Sequence, residues 1–189
     1  MRQWFLNLKE YFPAKEMKTE EHMACLLEEK SNKYKVETNS EYTLVYYEEP
    51  GFLFIDYILI FSSSRGSGIG SKLMERIKNK NKPILLEVDP ISSKDPESVR
   101  RVRFYEKLHF KKVHAIQYVR KHPMTGEKSE MDIFFWSPHD VTDAWILEKM
   151  KKVYTEVHAF QNAEFYGTVP KPASAVLQLH EQHTSNQVK

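Results

Sequence analysis

The sequence predicts an α/β fold, a central mixed β-sheet of about five to seven strands flanked by helices. Three observations carry that prediction. First, an apolar run rich in aromatic and β-branched residues, Phe52 to Phe61, is followed by a glycine-rich turn, an amphipathic helix and the short strand Ile84-Leu85-Leu86-Glu87-Val88. Strand, helix and strand in that order impose a right-handed crossover and a parallel pair. Second, the β-rich stretch Tyr42 to Tyr47 meets the same run across the turn signal Glu49-Pro50-Gly51, which predicts an antiparallel hairpin. Third, two further β-rich stretches, Val113 to Arg120 and Met131 to Trp136, flank a polar loop containing Thr125-Gly126.

Taken in order, Trp4, Phe5, Leu8, Tyr11 and Phe12 give a short amphipathic helix stopped before Pro13. Thr19 is an N-cap, with Glu20 and Glu21 in the first turn, where the helix dipole favours negative charge. Met23, Leu26 and Leu27 then form the core stripe of a helix reaching about Lys33, and Cys25 reads as a core residue of that helix. Residues 35–41 read as a loop or weak strand. Past the glycines, Ile69, Leu73 and Ile77 recur four apart in a helix over 67–80, which Asn81-Lys82-Pro83 ends. The two-proline loop Asp89 to Pro96 precedes a helix from about Glu97 to His109, with Val102, Tyr105 and Leu108 on one face. Asp140 or Thr142 caps a long helix to about Phe160. Its stripe Ile146, Met150, Val153 and Val157 packs on the core, or covers a cleft or a second subunit in a homodimer. A short helix near Ser174 to His180 and a fraying polar tail complete the chain. The organisation expected is one domain over 1–136 and a C-terminal helical extension, 137–189, packed on it.

Composition narrows the function. The 41% apolar fraction of 189 residues is enough for a sizeable core. A formal net charge of +2 gives no argument for nucleic acid or an anionic membrane as partner. No signal-peptide pattern opens the chain, and the longest apolar run, about ten residues, is too short to span a bilayer. A single cysteine excludes an intramolecular disulfide and a multi-cysteine metal site. His180-Glu181-Gln182-His183 does not complete a His-Glu-x-x-His zinc motif because Thr184 follows, so no metal is expected. Together these point to a cytoplasmic protein.

The chemistry gathers at Arg65-Gly66-Ser67-Gly68-Ile69-Gly70. A glycine-rich turn at a helix start offers free backbone N–H groups and a positive dipole end to a phosphate. The dinucleotide fingerprint fails at Ser71, where glycine is needed, and the P-loop fails because Gly70-Ser71-Lys72 puts the lysine one place late. A nucleotide-binding protein of another fold is therefore disfavoured. Arg65, Gly68 and Gly70 do match the pattern Arg/Gln-x-x-Gly-x-Gly/Ala. Downstream stand a Leu86-Glu87-Val88 strand and a helix ending Phe104-Tyr105-Glu106-Lys107-Leu108-His109-Phe110.

These motifs, in this order, resemble the GCN5-related N-acetyltransferase (GNAT) superfamily over roughly residues 42–136. The resemblance implies acetyl transfer from acetyl-CoA, as co-substrate, to a small-molecule or peptide amine by direct attack in a ternary complex. It implies that the amides of Arg65, Gly66, Ser67, Gly68, Ile69 and Gly70, with Ser71, hold the pyrophosphate. A backbone amide near Leu59 or Ile60, where the family's strand bulges, would face the thioester oxygen. Glu87 is the implied base and Asp56, which interrupts an apolar strand, the second choice. Tyr105 is the implied general acid toward the CoA thiolate. Ser98 stands where family members often carry a CoA-contacting Asn, and Arg101, one turn before Tyr105, supplies a cation. Departures are the His109 in place of a glycine, which predicts a helix end without its usual left-handed residue, the long 89–96 loop, and no evident opening strand. The alternative function is a non-catalytic CoA-binding module acting through protein interaction.

Overall fold

The computed structural model describes residues 2–180, and the expected polar tail beyond them lies outside the described residues. Helix α1 (Gln3–Tyr11), a 3-10 turn (Ala14–Glu16) and α2 (Glu20–Glu29) come first. The strands β1 (Tyr34–Thr38), β2 (Tyr42–Glu49) and β3 (Phe52–Ile60) then form an antiparallel meander. After α3 (Ile69–Lys78), β4 (Ile84–Val88) pairs parallel with β3. Then come α4 (Pro96–Lys107), the two-residue β5 (Lys111–Lys112), β6 (Ile116–Lys121), β7 (Lys128–Glu130) and β8 (Asp132–Trp136). The chain closes with α5 (Asp143–Val153), α6 (Asn162–Tyr166), α7 (Ala173–Val176) and β9 (Leu177–Leu179). Six strands make one mixed sheet in the order β1-β2-β3-β4-β8-β5, and β7-β6-β9 make a second, small one.

The sheet separates two cores, because alternate strand residues point to opposite faces. Phe52 and Phe54 pack with Leu8 of α1, Leu26 of α2 and Met150 of α5. Leu53 and Ile55 pack with Leu73 and Ile77 of α3 and Val102 of α4. In the β2–β3 register, Val45 lies opposite Tyr57 and Tyr46 opposite Ile55, so Asp56 is an extra, unpaired residue. This bulge reverses the alternation. Beyond it Tyr57 and Leu59 belong to the α1/α2/α5 core, while Ile58 and Ile60 turn toward α3 and α4. The stripe Ile146, Met150, Val153 and Val157 is buried in the first core, not over a cleft.

Several expectations are corrected. Residues 34–38 are a full strand, β1, and α2 stops at Glu29 rather than Lys33. Cys25 is half-buried at the edge of its helix stripe, with Sγ 3.1 Å from Gln161 Oε1, and is not a core residue. The end of α4 does have a left-handed residue, since His109 takes φ +59° and lets Phe110 N–H donate to the Tyr105 carbonyl. Thr142, not Asp140, caps α5, accepting from Trp145 N–H. The long helix does not run straight to Phe160. Its last part, Tyr154–His158, widens into a π-turn. Among the described residues no helix is long and apolar enough to cross a membrane.

Candidate active site

Strands β3 and β4 pair only where Leu53–Ile55 face Ile84–Leu86, and then part. A cavity of about 480 Å³ fills the split, lined by both strands past the parting point and by residues of the segment after α1 and of α4. Phe61 N–H donates to the Glu41 carbonyl across the β2–β3 pair. Antiparallel alternation therefore commits Leu59 to Thr43 on β2 and leaves the N–H groups of Ile58 and Ile60 facing the split. Leu59, expected to offer an amide there, instead contributes to the lining without its N–H, and the bulge itself sits at Asp56, earlier than expected.

The glycine loop stands at one end of the split. Arg65 and Gly66 line the cavity, while Ser67, Gly68, Ile69, Gly70 and Ser71 form the turn and the start of α3 beside it. Its three glycines do different jobs. Gly66 and Gly68 take φ +79° and +83°, which other residues rarely adopt. Gly70 is needed for packing, because a Cβ there would meet the Phe104 ring at 3.2 Å. Gly68 caps α3 without a side-chain hydrogen bond, so the first N–H groups of that helix remain free. Arg65 fixes the loop by donating from Nε to the Ile60 carbonyl at 3.1 Å and by lying 4.9 Å over the Tyr11 ring.

On α4, Tyr105 is buried yet reaches the cavity. Burial raises its hydroxyl to about 12, with Arg101 pulling the other way. Arg101 bridges Asp89 at 3.3 Å and Asp95 at 3.4 Å. Ser98 is a correction: it is fully buried outside the cavity lining, and its hydroxyl donates to the Asp95 carbonyl at 2.5 Å and accepts from Ser92 N–H. It staples the 89–96 loop to α4.

Beneath the split lies a polar and charged cluster whose parts come from six distant places in the chain. Asp56 accepts from Lys18 Nζ at 2.8 and 2.9 Å and from the Tyr34 hydroxyl at 2.5 Å. Burial would raise its carboxyl, but these partners hold it below the usual carboxylate range. Glu87 meets His158 Nε2 at 2.8 Å and Arg120 Nη2 at 3.4 Å. Arg120 Nη1, which can only donate, faces His158 Nδ1 at 3.2 Å. His158 is therefore neutral, with its proton on Nε2 directed at Glu87. Burial opposes ionisation of Glu87, yet the His158 ring and the Arg120 guanidinium bring its pKa down to about 2.

One lining carboxylate was invisible in the sequence. Glu16, at the end of the 3-10 turn, had no motif and no periodicity to mark it. Tyr57 holds it at the split, donating from its hydroxyl to the Glu16 carbonyl at 2.8 Å while accepting from Lys18 N–H. Burial and the charge of Asp89 raise the Glu16 carboxyl to about 7.

No family model matches the chain. It is 37% identical over 185 residues to a curated protein of Bacillus subtilis (strain 168) named "Putative acetyltransferase YjbC", covering 98% of this chain and 96% of the other. A solved structure described as "Putative acetyltransferase from GNAT family from Bacteroides thetaiotaomicron" superposes with a TM-score of 0.65 at 18% identity, over 85% of this chain and 88% of that one. The second likeness is one of fold.

Proposed function

The chain belongs to the GNAT superfamily of acetyltransferases, and from that premise we propose that it transfers an acetyl group from acetyl-CoA to a primary amine by direct attack in a ternary complex. The observation that carries the reading is the split itself: a strand edge with free amides at Ile58 and Ile60, ending at a glycine turn and a helix start. A pantetheine arm pairs with such an edge as an added strand does. The turn Arg65–Gly70 and the first amides of α3, with Ser71, receive the pyrophosphate. The Ile58 or Ile60 N–H is placed to donate to a thioester oxygen as it gains charge.

Tyr105 faces the leaving thiolate. With its hydroxyl at about 12 and a thiol near 8.5, full proton transfer is uphill by about 5 kcal/mol. Its role is accordingly to donate a hydrogen bond as the C–S bond breaks, with Arg101 narrowing the gap. The two carboxylates expected as bases do not suit that task. Glu87, held well below the usual carboxylate range by His158 and Arg120, is a poor acceptor for the proton of an alkylammonium near pKa 10. Asp56 is sealed by Lys18 and Tyr34. Both carry structural charge instead.

That locking is also the one observation in favour of the second reading, a CoA-binding module without turnover. Equilibrium titration with acetyl-CoA, followed by thiol release with a panel of amines, separates the two. Binding with turnover of at least one amine supports acetyl transfer, and binding without turnover of any supports the module. Absence of CoA binding removes both.

A further inference from the structure

Five carboxylates line the cavity, and four have cationic partners. Asp56 is held by Lys18, Glu87 by Arg120 and His158, Asp89 by Arg101 at 3.3 Å, and Glu97 by Arg100 at 2.9 Å. Glu16 is the remaining one, and among the described residues its carboxylate makes no hydrogen bond or ion pair. It stands on a segment anchored to β3 through the Tyr57 hydroxyl, so its position is fixed by the strand that also carries the free amides. Phe12, Tyr57 and Met131 add apolar surface to the same cavity lining. A half-buried carboxylate with apolar neighbours and no direct ion pair is a binding place for a cation.

We propose that Glu16 is the acceptor-binding carboxylate and the general base of the transfer: it receives the amine as an ammonium ion in the cavity and takes its proton. This deepens the acetyl-transfer reading and rests on it. The ammonium R–NH3+ gives one proton to Glu16. The free amine nitrogen then bonds to the thioester carbon, the C–S bond breaks, and the second nitrogen proton passes to the CoA sulfur beside Tyr105. Glu16 returns its proton to solvent, so the products are the amide, CoA–SH and one H+. The acceptor class is a primary amine cationic at neutral pH.

The charged groups that act on Glu16 from the surrounding elements are Asp89 just after β4, Arg101 on α4, Arg120 on β6 and Lys15 on its own turn. Asp89 and burial raise its carboxyl and the three cations lower it, with the balance at about 7. A base so poised titrates in the working range, whereas one at the Glu87 value does not.

The test uses the full chain with Glu16→Gln and Glu87→Gln, folding being checked by circular dichroism. Amine binding to the CoA-loaded protein is read by calorimetry with an arylalkylamine, a linear polyamine and a short peptide with a free α-amino group. Turnover with acetyl-CoA is read from pH 5 to 9. The proposal expects wild-type protein to bind at least one of these amines and Glu16→Gln to lose at least tenfold in that affinity with CoA affinity unchanged. It expects kcat/KM to rise through an acid limb near pH 7 in wild type and in Glu87→Gln. In Glu16→Gln kcat/KM falls by 10²–10⁴-fold near neutral pH and climbs with pH toward the amine's own pKa. Amine binding unchanged in Glu16→Gln, an acid limb that survives in it, or no amine bound by wild type would overturn the proposal. Glu16-dependent amine binding without any turnover would instead overturn acetyl transfer and leave Glu16 as the ammonium site.

Discussion

The two ends of the split are built in opposite ways. The glycine-loop end is local: Ile60, Arg65, Gly66, Gly68 and Gly70 lie within eleven residues, and its bonds, Arg65 to Ile60 and Ser67 to Ser64, close over short spans. The other end is assembled at long range, from Glu16, Lys18, Asp56, Glu87, Arg120 and His158. The loop exposes its donors and leaves them unpaired. Apart from Glu16, the cluster buries its charges and pairs them. The first arrangement suits a phosphate, which brings its own charge. The second stiffens the place where two strands must stay apart without hydrogen bonds between them.

Stability separates the two ends most. Lys18→Met leaves Asp56 buried with only Tyr34 and is expected to cost about 3–5 kcal/mol in urea unfolding. Arg65→Ala, at the loop, is expected to stay within roughly 0.5 kcal/mol. Equal losses would break the comparison.

Function comes next. Tyr105→Phe is expected to lower kcat by about 10²-fold or more while CoA affinity stays within a factor of about two. Unchanged turnover takes Tyr105 out of the reaction.

The carboxylates supply a subtler contrast, one of sign. Glu87 is depressed to about 2 in the folded chain, so its stabilisation is full above its unfolded value near 4.5 and is lost as pH falls toward 2. Glu16 is raised to about 7, so the folded state binds its proton more tightly than the unfolded state. Stability then declines as pH rises from about 4.5 to 7. Unfolding midpoints of Glu16→Gln at pH 5 and pH 8 are expected to differ less than those of wild type. An unchanged difference assigns the wild-type slope to another group.

The smallest effect is at the end of α4. His109 holds φ +59°, and His109→Gly is expected to stabilise by up to about 1 kcal/mol in the same urea assay.

How much of this was legible follows from the same division. The strand, glycine turn, helix and strand of 52–88 could be read because their signals are local periodicity and turn chemistry. The parallel β3–β4 pair follows from the order strand, helix, strand. Asp56 stands out as a charge in an apolar strand and Glu87 by its match to the family's Leu-Glu-Val strand, but their partners Lys18, Arg120 and His158 lie 38, 33 and 71 residues away. No window of sequence joins them. Ser98 was placed by analogy to a contacting side chain, and a serine there is short enough to bond its own turn instead. Glu16 carried no signal at all, since Ala14-Lys15-Glu16 reads as a polar connection and only the distant Tyr57 hydroxyl gives it a fixed place.

The bulge at Asp56 has a consequence for inheritance. Beyond the extra residue, β3 presents its even-numbered amides to the split and its odd-numbered side chains to the first core. A gene shortened by one codon there would exchange both sets at once. Tyr57 and Leu59 would leave their core, the anchor of Glu16 would go with them, and the free amides would fall on the wrong residues. Substitutions along this strand change one contact each, whereas a change of length changes its parity. Insertions and deletions that spare this strand's parity are therefore the ones its descendants are expected to carry.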